Sequence, residues 1–219
     1  MKNKLGVMQG RLLPKYQGRY QAFPVDYWSE EFSLAKGLGL DLIEFILDFN
    51  DVDQNPLLKE GGRSEIKSLI DETGVSVETI CADYFMEAPL QSENEDVARS
   101  SKELLKRLIK SAVDLQVRDI VIPCVDNSSL RSLSCMDRLV DAVRDVLPIL
   151  QSTTLHLCLE TDLNPENFLL LLDRLPEDCV TVNYDIGNSA SLGFGVESEF
   201  KAYGSRISDV HIKDRTIGG

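Results

Sequence analysis

Along its 219 residues the chain alternates between two periodicities. Short runs of β-branched and apolar residues are each followed by a stretch in which apolar residues recur at three and four, so every unit reads strand then helix. The runs near Lys4–Gly10, Asp41–Ile46, Ser76–Ala82, Asp119–Val125, Leu155–Thr161, Thr181–Asp185 and Ile207–Ile212 predict seven strands. Between them the spacing predicts helices over Ser29–Leu38, Ser64–Thr73, Glu93–Leu115, Met136–Leu150, Pro165–Leu175 and Glu197–Tyr203. Leu104, Leu105, Leu108, Ile109, Ala112 and Val113 give the longest of these a single apolar stripe, so it is expected to pack by one face. Gly39 and Gly74 stand where left-handed C-caps end helices, and Asn164-Pro165-Glu166 supplies an N-cap with proline in the first turn.

Such alternation calls for parallel strands covered by helices, either as an open doubly wound sheet or as a closed barrel. An open nucleotide-binding sheet wants a glycine-rich loop after its first strand, and Gly6, Gly10 and Gly18 fit neither G-x-G-x-x-G nor G-x-x-x-x-G-K-[ST]. A barrel instead gathers its polar residues at the C-terminal ends of many strands, which is where they fall here. The predicted fold is therefore an α/β (β/α)8 TIM barrel, with residues 1–219 read as one domain. Such barrels have eight strands and about 250 residues. The sequence thus covers about seven βα units with the eighth strand missing, and the reading frame is expected to continue beyond Gly219.

Composition fits one compact domain: 43% of the residues are hydrophobic, enough for a core, and 27% are charged. The N-terminus runs from Met-Lys-Asn-Lys straight into Leu5–Met8, unlike a secretory signal, and no segment reaches the roughly 20 apolar residues a membrane helix needs. Neither export nor a membrane is expected. Cys81, Cys124, Cys135, Cys158 and Cys179 are odd in number and contain no C-x-x-C pair, which points to reduced thiols in a cytoplasmic protein. A formal net charge of −13 repels a phosphate backbone, and the cations form no basic stripe, so nucleic acid is not an expected partner.

Three of the strand-like runs end in ligand-type side chains: Leu155–Glu160, Val182–Asp185 and Val210–Asp214. The intervals between Glu160, Asp185 and His211 are each about one βα unit, so neighbouring strands would bring the three to the barrel mouth together. Two carboxylates and an imidazole suit a hard or borderline divalent ion: Mn²⁺, Mg²⁺, Co²⁺ or Zn²⁺. Each residue alone also has a structural explanation. Glu160 can cap a following helix, Asp185 before Ile-Gly-Asn can be a turn residue, and His211 lies between Val210 and Ile212 as many structural histidines do. The coincidence of three on consecutive strands favours a site. His156, below Glu160 on the same face of its strand, reads as a core histidine.

The runs Leu159-Glu160-Thr161, Tyr184-Asp185-Ile186-Gly187-Asn188 and His211-Ile212-Lys213-Asp214-Arg215 resemble the signature segments of the sugar phosphate isomerase/epimerase family, the xylose-isomerase-like barrels. Gly39–Glu44 is similar to the family's second strand and Ile80–Phe85 to its third. The resemblance implies a metal-dependent isomerase or epimerase of a sugar, sugar phosphate or sugar derivative. Such an enzyme abstracts a proton α to a carbonyl and passes through a metal-stabilised enediolate. Carried over, it makes Glu160, Asp185 and His211 the metal ligands, with Glu160 also a catalytic acid/base. It sets Asn188 against the substrate, and matches Glu166 and Arg215 more loosely to groups that hold sugar hydroxyls. The family's fourth ligand, a glutamate on the eighth strand and commonly the second acid/base, is not in this sequence. Barrels of this kind often pair, so a homo-oligomer is among the expected assemblies.

The first loop, Gln9–Trp28, mixes cations with Tyr16, Tyr20, Phe23, Tyr27 and Trp28. It reads either as a lid, in which Arg11 or Arg19 meets a phosphate or carboxylate on the substrate while an aromatic stacks on the sugar ring, or as a surface loop with an aromatic anchor. Other chemistries stay open at this point. A dehydratase of a cyclic polyol or sugar acid would share the metal and the proton abstraction, and a sugar-binding pseudoenzyme would need no final glutamate. A zinc-cluster endonuclease on the same barrel needs several histidines, and this chain has two.

Overall fold

A computed structural model describes residues 3–215. Its seven strands are β1 (Gly6–Met8), β2 (Leu42–Ile46), β3 (Thr79–Cys81), β4 (Asp119–Cys124), β5 (His156–Thr161), β6 (Val180–Asp185) and β7 (Ile207–His211). All pair in parallel and in chain order. The helices that alternate with them are α1 (Glu30–Gly37), α2 (Glu60–Thr73), α3 (Tyr84–Glu87), α4 (Glu95–Asp114), α5 (Leu133–Arg144), α6 (Leu147–Leu150), α7 (Pro165–Leu172), α8 (Ile186–Leu192) and α9 (Val196–Tyr203). In a flat sheet β2 and β7 would lie about 24 Å apart, five strand spacings. Instead Glu44 of β2 meets His211 of β7 at 2.8 Å. The sheet is curled, and its seven βα units follow the predicted barrel. Among the described residues β1 and β7 are not paired with each other. The eighth unit expected beyond Gly219 lies outside the described residues, as do residues 216–219.

Curling gives the sheet two buried faces, which is why its strands read as nearly continuous apolar runs. Ile120 and Ile122 of β4, Leu157 and Leu159 of β5, and Val180 and Val182 of β6 pack outward with Leu105, Leu108 and Ile109 of α4 and Leu139 and Val140 of α5 in the main core. The alternate residues Cys81, Val121 and Cys158, with Met8 packed on them, fill the lumen at one level as a second, smaller cluster. All five cysteines are free.

Helix ends follow their local chemistry. The Asn94 side chain accepts from the backbone N–H groups of Asp96 and Val97 to start α4, and Asn164 accepts from Asn167 to start α7. Gly74 takes the left-handed conformation at the end of α2, with φ 75°. The single helix predicted over Met136–Leu150 is in fact two. Pro148 has no N–H to offer the preceding turn, so α5 stops at Arg144 and a short α6 restarts at Leu147. No helix among the described residues is long and apolar enough to cross a membrane.

Candidate metal centre

Glu160 stands one residue before the end of β5, and Asp185 and His211 end β6 and β7. A β-bulge sets the last of these. Val182 pairs with Ile207 but Asn183 pairs with Asp209, so β7 carries one extra residue and Asp185 comes opposite His211. One ligand atom from each of Glu160, Asp185 and His211 lies within 4.8 Å of the others. His211 Nδ1 faces Glu160 Oε2 at 3.7 Å and Asp185 Oδ2 at 3.9 Å, while its Nε2 sits 2.8 Å from Glu44 Oε2.

The surrounding polar groups hold these three in place. Asn183 Nδ2 donates to Glu160 Oε2 at 2.8 Å and lies 3.0 Å from His211 Nδ1, forming a floor beneath the pair. Asn188 Nδ2 donates to the other Glu160 oxygen. Asp185 divides its own oxygens: Oδ1 accepts from Asn188 N at 2.8 Å and so caps α8, leaving Oδ2 turned to the lumen. Lys213 Nζ lies 2.6 Å from that Oδ2 as an ion partner, though outside hydrogen-bond geometry, so the buried oxygen accepts no hydrogen bond. The Lys213 stem crosses Gly187, where an added Cβ would stand 2.6 Å from Lys213 Cγ and 2.9 Å from its carbonyl oxygen. α8 is tied down from behind by buried Glu199, which accepts from Ser189 Oγ of α8 and from Tyr184 Oη of β6.

Burial pushes the Glu160 carboxyl up, with His211 pulling against it and Asp185 adding to it. For His211, burial disfavours the charged ring, but Glu44 outweighs it by charge and hydrogen bond, with Glu160 and Asp209 adding to the effect, and the imidazole is pushed up to about 10. The donor set is therefore chemically apt for a divalent cation, and Asp185 Oδ2 is the buried oxygen such an ion would satisfy. A cavity of about 2090 Å³ runs through the lumen past these residues. Its walls include Arg11, Gln21, Phe49, Asp83, Asp162 and Arg215.

Residues 32–218 match the family described as xylose isomerase-like TIM barrels. The chain belongs to the xylose isomerase-like TIM barrel family. The matched span begins after the first loop, so Arg11 and Arg19 lie outside it. Among relatives of this barrel is the L-ribulose-5-phosphate 3-epimerase UlaE of Salmonella typhi, 27% identical over 200 residues, which cover 87% of this chain and 70% of the relative. The fold resembles that of the 3-keto-D-glucoside 4-epimerase YcjR of E. coli, with a TM-score of 0.72 at 18% identity over 97% of this chain and 80% of that one. It also resembles that of the IolI protein with a bound zinc atom, with a TM-score of 0.73 at 16% identity over 99% of this chain and 76% of the other.

Within this xylose isomerase-like barrel, the sequence-predicted residues are distributed unevenly. Glu160, Asp185, His211 and Asn188 converge at the mouth, and Arg11 and Arg215 line the same cavity from exposed positions. Glu166 does not reach it. As the second residue of α7 it is exposed, and the strand-to-helix loop contributes Asp162 to the cavity wall. Arg19 also lines the cavity but is held by Asp48 at 2.7 Å. The loop aromatics do not form the expected stacking wall either. Phe23 and Trp28 are buried against Phe45 and Phe32, as an anchor, Tyr16 meets Tyr27 edge-on, and Tyr20 sits under Lys15. The aromatic that lines the cavity is Phe49, packed on Tyr84. His156 Nδ1 donates to Asp119 Oδ1 at 3.0 Å, low in the barrel, in keeping with a structural role. Sequence reasoning missed Glu44, Asn183 and Lys213 as site residues. Asn183 could have been found by alternation, since it shares a strand face with Asp185.

Proposed function

We propose that this chain is a divalent-metal-dependent epimerase or isomerase acting on a sugar or sugar phosphate. The observation that supports it most is the convergence of two carboxylates and an imidazole, from Glu160, Asp185 and His211, within 4.8 Å at the mouth of a large cavity. The names of the relatives point the same way: UlaE is a 3-epimerase of a ketose phosphate and YcjR a 4-epimerase of a keto-glucoside. The zinc of the IolI structure supports a metal ion in barrels of this shape.

In this reading Glu160, Asp185 and His211 hold the ion. A divalent ion bound there supplies Lewis-acid stabilisation of negative charge on the substrate's oxygens. Glu160 moves the proton at the carbon next to the carbonyl. Its burial raises its proton affinity above that of a surface glutamate, which suits a group that must both take and return a proton near neutral pH. Asn183 and Asn188 grip its two oxygens and fix how the carboxyl is turned. Asn188 also borders the substrate, and Arg11 and Arg215 meet the polar or anionic end of the sugar at the rim. An isomerase returns the proton to the neighbouring carbon, whereas an epimerase delivers a proton to the opposite face of the same carbon from a second acid, the part that the family resemblance gives to the glutamate of the eighth strand.

The test begins with calorimetric titration of Mn²⁺ into metal-stripped protein, with Asp185→Asn as control. It continues with ketoses, ketose phosphates and cyclic polyols incubated in D₂O. One ion bound by the wild type and lost in the control, with deuterium appearing at a carbon next to a carbonyl, is the expected result. Loss of water from a polyol without exchange into a sugar would replace the epimerase reading with a dehydratase. Absence of Mn²⁺ binding would overturn the metal assignment.

A further inference from the structure

Both nitrogens of His211 are engaged, and on opposite sides of the ring. Nδ1 looks toward Glu160 and Asp185 and lies 3.0 Å from the Asn183 amide nitrogen, which can only donate. Nε2 lies 2.8 Å from Glu44 Oε2. A carboxylate can only accept, so Nε2 carries a hydrogen, and once the ring is neutral the Nδ1 lone pair points at the space between the other two ligands. The Glu44 side chain is only 8% exposed, and its second oxygen is buried without a hydrogen bond. Its backbone is held against the first strand: Glu44 pairs with Met8, and its carbonyl accepts from Gln9 N at 2.9 Å. Among the described residues this imidazole is the cationic partner of the Glu44 carboxylate, and such a buried charge is costly unless the pairing has a use.

We propose that Glu44 is the positioning residue of the metal centre, reaching from β2 to β7 to lock His211 in the Nε2–H form and aim Nδ1 at the ion. The assignment rests on the metal reading given above. Glu44 does not touch the ion; it acts through the ring, and so sets the strength of binding and the tautomer together. Glu44, Asp209 and His211 themselves stand close enough to hold a cation, but the contact of Nε2 with Glu44 is a hydrogen-bond length, which the lock accounts for and direct ligation does not.

The experiment compares wild type, Glu44→Leu and Glu44→Gln. Mn²⁺ affinity is read by calorimetry, folding by thermal melting, and the imidazole by ¹⁵N–¹H NMR of histidine-labelled, Zn²⁺-loaded protein. The chain has two histidines, so the His211 signals are assigned with a single His156 variant. Glu44→Leu is expected to lose ~10–100-fold in Mn²⁺ affinity, with His211 no longer in one tautomer. Glu44→Gln keeps an acceptor in its amide oxygen. It should lose less than about tenfold, retaining the Nε2–H form with a proton signal moved upfield from that of the wild type. Should Glu44→Leu fail to fold, the Gln variant decides alone, and unchanged affinity with an unmoved Nε2–H signal overturns the proposal. Wild-type affinity and tautomer in a folded Glu44→Leu also overturn it, as does a second bound ion that Glu44→Gln removes. If the wild type binds no Mn²⁺, the metal reading fails and this proposal with it. If the wild type binds and the variants match it, only the role of Glu44 fails.

Discussion

Asp185 and His211 face each other across neighbouring strands, although Ile207, at the start of the same strand as the histidine, packs against the main core. In a regular strand Ile207 and His211 would share a face. The bulge beside Val182 and Asn183 changes the parity once, so β7 buries an apolar residue outward at its start and presents an imidazole inward at its end. The site thus depends on a backbone irregularity as much as on the residues themselves.

Asp185 has two separable duties. Asp185→Asn keeps an oxygen to cap α8 and is expected to abolish Mn²⁺ binding while leaving stability within about 1 kcal/mol of wild type. Asp185→Ala loses the cap as well, for a further cost of about 1 kcal/mol. Calorimetry and urea unfolding on the same two variants check the split.

Metal and proton compete for His211. With the ring pushed up to about 10, the metal-free site is protonated at neutral pH, and an ion that takes Nδ1 must displace that proton. Affinity is expected to rise by about tenfold per pH unit below about 10, with about one proton released per ion. Calorimetry in buffers of different ionisation enthalpy counts it. The metal-free protein follows the opposite sign. A raised histidine contributes stability that is full below its ordinary value of 6.5 and is lost as pH climbs through about 10, so urea midpoints should fall over that window.

Gly187 has no room for a side chain beneath Lys213. A Gly187→Ala methyl would stand 2.6 Å from Lys213 Cγ and 2.9 Å from the backbone oxygen, so the end of β7 must move. The expected cost is about 1–3 kcal/mol, with weakened Mn²⁺ binding because His211 lies on the displaced strand. Unchanged affinity in Gly187→Ala would show that β7 tolerates the shift.

Arg11 and Arg19 separate by their partners. Arg19 is bound to Asp48 but is 41% exposed, so solvent screening limits the pair and Arg19→Ala should cost about 0.5–1 kcal/mol. Among the described residues the Arg11 side chain hydrogen-bonds to the Gln21 side-chain oxygen, at 3.2 Å. Arg11→Ala is expected to leave the melting temperature unchanged and to raise KM for an anionic sugar by about tenfold. Equal KM values for the two variants would remove the distinction.

The strands were legible because a curled parallel sheet buries both faces, and β4 to β6 announce themselves as unbroken apolar runs. The three proposed ligand positions were legible for a related reason: each is an ionisable residue at or next to the close of such a run. Glu44 was not readable as a site residue, because its role exists only once curling brings β2 against β7. Lys213 was hidden in the same way, since its contact with Asp185 depends on the bare backbone at Gly187. α8 left little trace in the sequence. It follows β6 without a loop, and its larger apolar residues, Ile186 and Leu192, are exposed and define no buried stripe. Glu166 misled because it matched a chemical type, whereas its place in the first turn of α7 carries it away from the lumen.

Buried Glu31 holds the first loop by accepting from the backbone N–H groups of Gly10, at 2.6 Å, and Leu12, at 2.9 Å. It grips main chain and ignores side chains. The stem of the loop is thereby insulated from the identity of its tip, and mutations around Arg11 can accumulate without unseating it. On the proposed function, descendants of this sequence can explore new substrates at the rim while Glu160, Asp185 and His211 beneath stay under their own, separate selection.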